Sequence, residues 1–415
     1  MNLKLYNTMS RSKEIFKPME QGKVKIFTCG PSTYRRPHIG NYRTFLYEDI
    51  LVRYLMYLGY KVDRVINFTD IEDKTIVEAE NRGKSVEEVT AEVHDHFFNE
   101  TKLLNILLPD DIPRATTSVN DAVAIIKKLV EEGVAYWHDG DVFFDPLKHK
   151  GFGRLFGLDM SKWPKRKVRF KKDTYVGRRW NLGDFILWHG QPHETDRSAY
   201  WDTEIGPGRP SWNIQDPAMI VQRLGSQIDI NCGGIDNIYR HHDYNIAVME
   251  TYTGLNFANY FLHGEHLVVD GIAMSKSRGN ILYPDDLFEQ GYEPKHLRFF
   301  LIYTYYRKKL NFNDTRFEKT SAKLDDFRTL LKKLLDSASP DGEKTDAIDH
   351  LITRIPEVFK NAMDDDLSVG AAFDGVFSQI LKIERTAGGK GLHNDPARKL
   401  RENIEKIDAV FGVIL

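Results

Sequence analysis

Cysteine is nearly absent from this chain: there are two in 415 residues, Cys29 and Cys232. That excludes a disulfide-stapled scaffold and makes a reducing compartment the expected setting. Long apolar runs are missing too. No stretch reaches the ~18 consecutive apolar residues of a spanning helix, and the N-terminus MNLKLYNTMSRSKEIF has no apolar h-region. A cytoplasmic protein with no membrane partner is therefore expected. Charge of one sign is also lacking, with a formal net charge of −2. Any polyanionic partner must then be met by a local patch rather than by the overall field. Internal repeats and low-complexity tails are absent. What remains is an ordinary globular composition, 41% hydrophobic and 28% charged, over a length that suits two or three domains.

Periodicity organises the chain. Lys23 to Thr28 alternates as a strand and is ended by Gly30 and Pro31. Ile39 to Leu58 has a dense helical pattern closed by Gly59. Lys61 to Phe68 predicts a second strand, so the order strand, helix, strand implies a parallel βαβ unit in an open α/β sheet. A helix is expected from about Val86 to Leu108. Residues 113–205 look inserted, with a helix over Val119–Glu132 and a hairpin over Ala135–Phe144 turning at Asp139-Gly140. The α/β pattern resumes after Gly206, with a helix from about Pro217, a strand over Gln227–Asn231, a helix from about His242 and a strand over Leu267–Asp270. Residues 314–415 predict a helical bundle.

Three short segments carry chemistry. His38-Ile39-Gly40-Asn41 heads the first long helix, after a strand end. Nucleotides bind at such crossovers, where the helix N-terminus offers N–H donors and the positive end of its dipole. An imidazole there can donate to a phosphate as charge builds in a transition state, and Gly40 allows close approach of a base. Met274-Ser275-Lys276-Ser277 precedes Arg278-Gly279-Asn280 and a Pro-started helix. An ammonium on such a loop can close on a departing pyrophosphate. Gly233-Gly234-Ile235-Asp236 follows a strand, leaving room for a ribose whose hydroxyls a carboxylate can hold. Each segment alone would most often be a helix start or a surface turn. Their order along one α/β chain is what carries weight.

Together, His38–Asn41 and Ala273–Ser277 resemble the HIGH and KMSKS signatures of class I aminoacyl-tRNA synthetases. Cys29-Gly30-Pro31, Asn67 to Lys74, Asp184 to Trp188, Gly208 to Ile214, Gly233 to Asp236, His241-His242 and Ala362 to Asp366 fall in the order of the cysteinyl-tRNA synthetase family, which includes the mycothiol cysteine ligase. The resemblance implies an α/β fold: a Rossmann-type parallel-sheet catalytic domain (1–112 and 206–313), an inserted α+β acceptor-side subdomain (113–205) and a C-terminal helical bundle (314–415). It implies an enzyme that uses ATP and Mg2+ to form an aminoacyl-adenylate. His38, Asn41 and Lys276 would be catalytic. Gly30, His38, Gly40, Asn41, Gly234, Asp236, Met274, Ser275 and Lys276 would bind ATP. Cys29, Thr69, Trp212, Asp216, His241 and Asn245 would bind the amino acid.

The chain departs from that pattern at the zinc site. The four ligand positions of the family, two Cys, a His and a Glu, hold Cys29, Asp216, His241 and Asn245. Two strong donors are replaced, so tight zinc is not expected, and a small polar side chain becomes the expected substrate. Asn41 replaces the second His of HIGH, Ala273 the first Lys of KMSKS, and Asn231-Cys232 a His-Gly. The chain ends soon after the bundle, which favours a small amine as acceptor. A basic cluster, Lys165, Arg166, Lys167, Arg169, Lys171 and Lys172 with Arg178-Arg179 nearby and Trp163, Phe170 and Tyr175 interleaved, favours the acceptor end of a tRNA. A true cysteinyl-tRNA synthetase and a non-catalytic nucleotide- or RNA-binding paralogue are the alternatives. Nothing in the sequence signals oligomeric state.

Overall fold

The computed structural model describes residues 2–162, 183–190 and 199–415. At its centre lies a four-stranded parallel sheet in the order Ala258–Gly264, Ile228–Gly234, Lys23–Thr28, Lys61–Ile66. The chain leaves Lys23–Thr28 toward Lys61–Ile66 on one side, and later returns to Ile228–Gly234 on the other. The strand order therefore reverses between Lys23–Thr28 and Ile228–Gly234. Beyond the carboxyl ends of these two strands lies the crevice where open α/β sheets bind ligands.

The helix Ile39–Tyr57 connects the first pair of strands. It is buried almost all round, with Leu46, Ile50, Leu51, Tyr54 and Leu55 at 1% exposure or less, as expected of a helix packed on every side. Of its four buried charged residues, Arg43, Asp49 and Arg53 are hydrogen-bonded, while Glu48 meets Arg64 only at 4.0 Å and burial pushes its carboxyl up to about 8. Asp49 and Arg53 bind each other at 2.8 Å. The Arg43 guanidinium donates to the carbonyls of Leu301, Tyr305 and Lys308, among others, and so staples the segment after the helix Pro294–Tyr303 onto the helix that carries His38.

Several sequence-predicted bounds shift. The helix expected from Pro217 begins at Trp212, because Ser211 caps it by accepting from Asn213 N, and Pro217 lies inside Trp212–Leu224. The helix expected over Val86–Leu108 ends at Leu103, and Asp73–Arg82 forms a separate helix before it. The strand Ala258–Gly264 is absent from the sequence reading: its seven residues show no alternation, since all but Asn259 are buried. The helix expected from His242 starts at Asp243, after a kink at Arg240 (φ +73, ψ −58), which has the geometry of a γ-turn.

A small sheet pairs Leu267–Val269 in parallel with Leu310–Phe312 and antiparallel with Ile272–Ala273, turning at Asp270-Gly271. It presents the loop that carries Lys276. Three strands of the insertion, Ala135–His138, Asp141–Phe144 and Phe185–Gly190, form an antiparallel sheet with Gly208–Pro210, which lies just beyond it. The basic cluster at 165–179 lies outside the described residues. Four helices, Asp314–Asp336, Asp346–Met363, Val369–Ala387 and Asn394–Phe411, pack as a bundle. The buried Asp366 ties this bundle to the sheet domain by accepting from Tyr6 N, Tyr306 Oη and Arg307 Nε. Among the described residues no helix is long and apolar enough to cross a membrane.

Candidate functional site

A cavity of about 430 Å³ opens at the crevice. Gly30, His38, Asn41, Gly234, Asp236, Met274, Ser275 and Lys276 all line it, so residues up to 246 positions apart meet in one space. Gly40 joins them through its bare Cα: a Cβ there would lie 2.8 Å from Met274 Cε and 2.9 Å from His38 Cε1. Gly30 is as tightly placed, since a Cβ would fall 1.7 Å from the Asn67 carbonyl oxygen.

His38 is the N-cap of Ile39–Tyr57. Its Nδ1 accepts from Gly40 N at 3.1 Å and Asn41 N at 3.3 Å, and Asn41 Oδ1 accepts in return from His38 N at 3.0 Å. This reciprocal cap fixes the tautomer. Two N–H groups aimed at Nδ1 require its lone pair, so the proton sits on Nε2. Burial holds the imidazole below its ordinary pKa and thus neutral. Asn41 therefore works as a capping partner, orienting His38 rather than offering its own amide oxygen.

The loop around Lys276 is built from its own polar atoms. Asn280 Oδ1 accepts from Ser275 N at 2.9 Å, and Asn280 Nδ2 donates to the Ala273 carbonyl at 3.2 Å. Lys276 is exposed and forms no ion pair among the described residues.

Of the residues expected to bind the amino acid, Cys29 alone lines this cavity. The others close on one another. Asp216, 1% exposed, accepts from Asn67 Nδ2 at 2.8 Å, Asn245 Nδ2 at 3.2 Å and His241 Nε2 at 2.8 Å. Trp212 Nε1 donates to His241 Nδ1 at 3.0 Å, which leaves the His241 proton on Nε2, facing Asp216. Thr69 Oγ1 takes the second Asn67 N–H at 3.4 Å. Asp216 and His241, expected to offer hydrogen bonds to a substrate, are thus each bonded within the protein, and the Asp216 carboxylate, with three donors, keeps capacity for a fourth. Asn245 Oδ1 remains a buried acceptor without a partner.

Cys29 pairs elsewhere. Its Sγ donates to the Cys232 carbonyl at 3.4 Å, accepts from Asn237 Nδ2 at 3.4 Å and lies 3.6 Å from His242 Nε2. Burial pushes this thiol well above its ordinary range, so it is protonated. His242 Nδ1 lies 2.8 Å from His263 Nε2, and His263 Nδ1 lies 2.8 Å from Thr8 Oγ1. Burial keeps both imidazoles neutral, His263 at about 3. Cys29, His241 and His242 bring one donor atom each within 4.8 Å of one another; these are the residues that could hold a metal ion among those described. Asp216 is outside that group.

Comparison with known proteins decides the family. The model described as tRNA synthetases class I (C) catalytic domain matches residues 15–322. A Cysteine--tRNA ligase of Chlamydia abortus is 35% identical over 414 residues, covering 100% of this chain and 86% of that relative. One of Methanosarcina mazei is 37% identical over 391 residues, covering 92% and 80%. The chain belongs to the cysteinyl-tRNA synthetase family. It is an adenylate-forming ligase of class I. Solved class I structures share the fold at low identity. Mycobacterium tuberculosis methionyl-tRNA synthetase bound by methionyl-adenylate has a TM-score of 0.64 at 14% identity, over 96% of this chain and 90% of that one. The Agrobacterium radiobacter K84 agnB2 LeuRS, in a ternary complex with tRNA and LeuAMS, has 0.69 at 12%, over 96% and 85%.

Within this family member, sequence reasoning missed Asn67, Tyr47 and the pair His242–His263. Asn67 Oδ1 accepts from Gly30 N at 2.8 Å while its amide holds Asp216, so one side chain spans both halves of the site. A polar residue directly after the second strand was the available signal. Tyr47 Oη bonds Gly233 O and N at 2.8 and 3.0 Å and holds the glycine strand end in place. Nothing in a helix full of aromatics marked it.

Proposed function

We propose that the chain activates an amino acid with MgATP and passes the aminoacyl group to an acceptor. The carrying observation is that His38–Asn41 and Met274–Lys276 line one cavity, with Met274 against Gly40. A carboxylate oxygen of the amino acid attacks the α-phosphorus, and the bond to the β-phosphate oxygen breaks, its electron pair leaving with pyrophosphate. Neutral His38 donates through Nε2–H to an α-phosphate oxygen as charge gathers there. Lys276 meets the leaving pyrophosphate. Asp236 holds ribose hydroxyls, and the base rests against Gly40 and Met274. In the second step an acceptor oxygen or nitrogen attacks the acyl carbon and AMP leaves.

Two observations bear on zinc. Asp216 spends both oxygens on three donors, and Asn245 turns its amide N–H toward Asp216. Positions 216 and 245 thus do not supply two of the ligands of the family's four-coordinate zinc, while Cys29, His241 and His242 lie close enough together to hold an ion; no step is routed through a metal. Elemental analysis of the purified protein is expected to find well under one zinc per chain. Stoichiometric zinc that disappears in Cys29→Ser would overturn this and restore cysteine as the leading substrate.

The substrate side chain expected beside Cys29 is a small polar group, with Trp212 proposed as a wall. Replacing Asp216 by Ala frees His241, Asn67 and Asn245 at once, so amino-acid preference should broaden while the KM for ATP changes little. Pyrophosphate exchange across the twenty amino acids tests both statements. Activity highest with cysteine or with a large apolar residue would remove the pocket assignment. The acceptor is the 3′ end of a tRNA or a small amine; aminoacylation of total tRNA, run beside transfer to hydroxylamine, tells the two apart.

A further inference from the structure

Four long cationic side chains line the nucleotide cavity: Arg35, Arg36, Lys74 and Lys276. Two are already engaged by carboxylates. Arg36 donates to Glu100 from Nε at 2.6 Å and to Asp285 from Nη2 at 2.5 Å. Arg35 reaches Glu78 at 3.4 Å. Lys74 and Lys276 form no ion pair among the described residues. Lys74 is the second residue of the helix Asp73–Arg82, and the adjacent Asp73 is taken by Arg209. Its Nζ lies 5.2 Å from the centroid of the Tyr34 ring, which also carries Arg35 at 5.4 Å. An aromatic face attracts an ammonium and limits where it can go without neutralising it. Lys74 is therefore a positioned cation at the cavity wall, which acts on the buried Glu72 carboxyl but forms no ion pair among the described residues.

The Lys276 loop has a matching deficit. It carries Ala273 where the resemblance places a lysine, so it brings one ammonium to the pyrophosphate rather than two. We propose that Lys74 supplies that second cation, contacting the triphosphate of ATP from the Tyr34 side of the cavity and holding the pyrophosphate as it departs. The inference rests on the adenylation reading above. The bonds made and broken are the same; the two ammoniums share the charge that grows on the leaving group.

Pyrophosphate-exchange kinetics of Lys74→Ala, Ala273→Lys and the double variant, with thermal melting as a folding control, test this. For Lys74→Ala we expect kcat to fall about 10- to 100-fold, as for loss of one partly solvated transition-state contact. Inhibition by pyrophosphate should weaken in parallel, and the KM for the amino acid should hold. Adding Ala273→Lys to Lys74→Ala should recover about tenfold by returning a cation from the other loop. A purely structural role for Lys74 would not respond to a charge placed there. Wild-type exchange in Lys74→Ala, or a double variant no faster than Lys74→Ala, overturns the proposal while leaving adenylation intact. Absence of exchange in the wild type with every amino acid would instead remove the adenylation reading, and this inference with it.

Discussion

Lys276→Ala is expected to slow aminoacyl-adenylate formation by about 10²–10³-fold, with little change in ATP affinity. The side chain is exposed on a loop pinned by Asn280. In the ground state it has water around it and gains little from bound ATP. Its contact strengthens only as pyrophosphate separates and charge accumulates, so the loss belongs to kcat. Single-turnover adenylate formation and equilibrium ATP binding separate the two quantities. An unchanged rate would take Lys276 out of the mechanism, and an equal loss in affinity would make it a ground-state ligand.

Asp49→Ala should produce the largest loss of stability of any single substitution outside the apolar core. Asp49 is fully buried and accepts from Arg53 Nε at 2.8 Å, Arg298 Nη2 at 2.7 Å and Leu107 N at 2.8 Å. Arg298, equally buried, also donates to the carbonyls of Phe411 at 2.6 Å and of Leu104 at 2.8 Å. One carboxylate thus balances two guanidiniums that join the helix bearing His38, the helix Pro294–Tyr303 and the end of the last bundle helix. Removing it strands two buried charges, at a cost of about 3–5 kcal/mol. Asp49→Asn, which keeps the acceptor oxygen, should lose less. Denaturant unfolding of the two variants checks the order. A transition for Asp49→Ala close to the wild-type midpoint would show that water reaches the guanidiniums and that the hub contributes little.

Local chemistry was readable without coordinates. The strand Lys23–Thr28 and the start of the helix at Ile39 follow from alternation, from Gly30-Pro31 and from the 3.6-residue pattern, all properties of neighbouring residues. The hairpin at Asp139-Gly140 was equally local, since both residues take the positive φ that such a turn demands. The edge strand Ala258–Gly264 was not readable, because burial on both faces erases alternation. The partners of Asp216 were less legible. Asp216 was read as free to meet a substrate, yet Asn67 lies 149 residues away in the chain, and His241 and Asn245 follow 25 and 29 residues on. The resemblance placed Asp216, His241 and Asn245 together, but no residue pattern records that Asn67 joins them or which atoms pair.

The sequence by itself therefore determined the parallel α/β class, the two loops that carry His38 and Lys276, and the replacement of zinc ligands at positions 216 and 245. The first two are matters of residue type and short-range spacing; the third is what the family resemblance implies. Tertiary structure decided what those residues can do. It put the Lys276 loop against Gly40, fixed the His38 proton on Nε2 through the cap with Asn41, closed Asp216 within a hydrogen-bonded network, and left Lys74 at the cavity wall with no ion pair among the described residues. Hydrogen-bond partners, tautomers and spare charge depend on which distant segments share a desolvated space, and that is settled only when the whole chain packs.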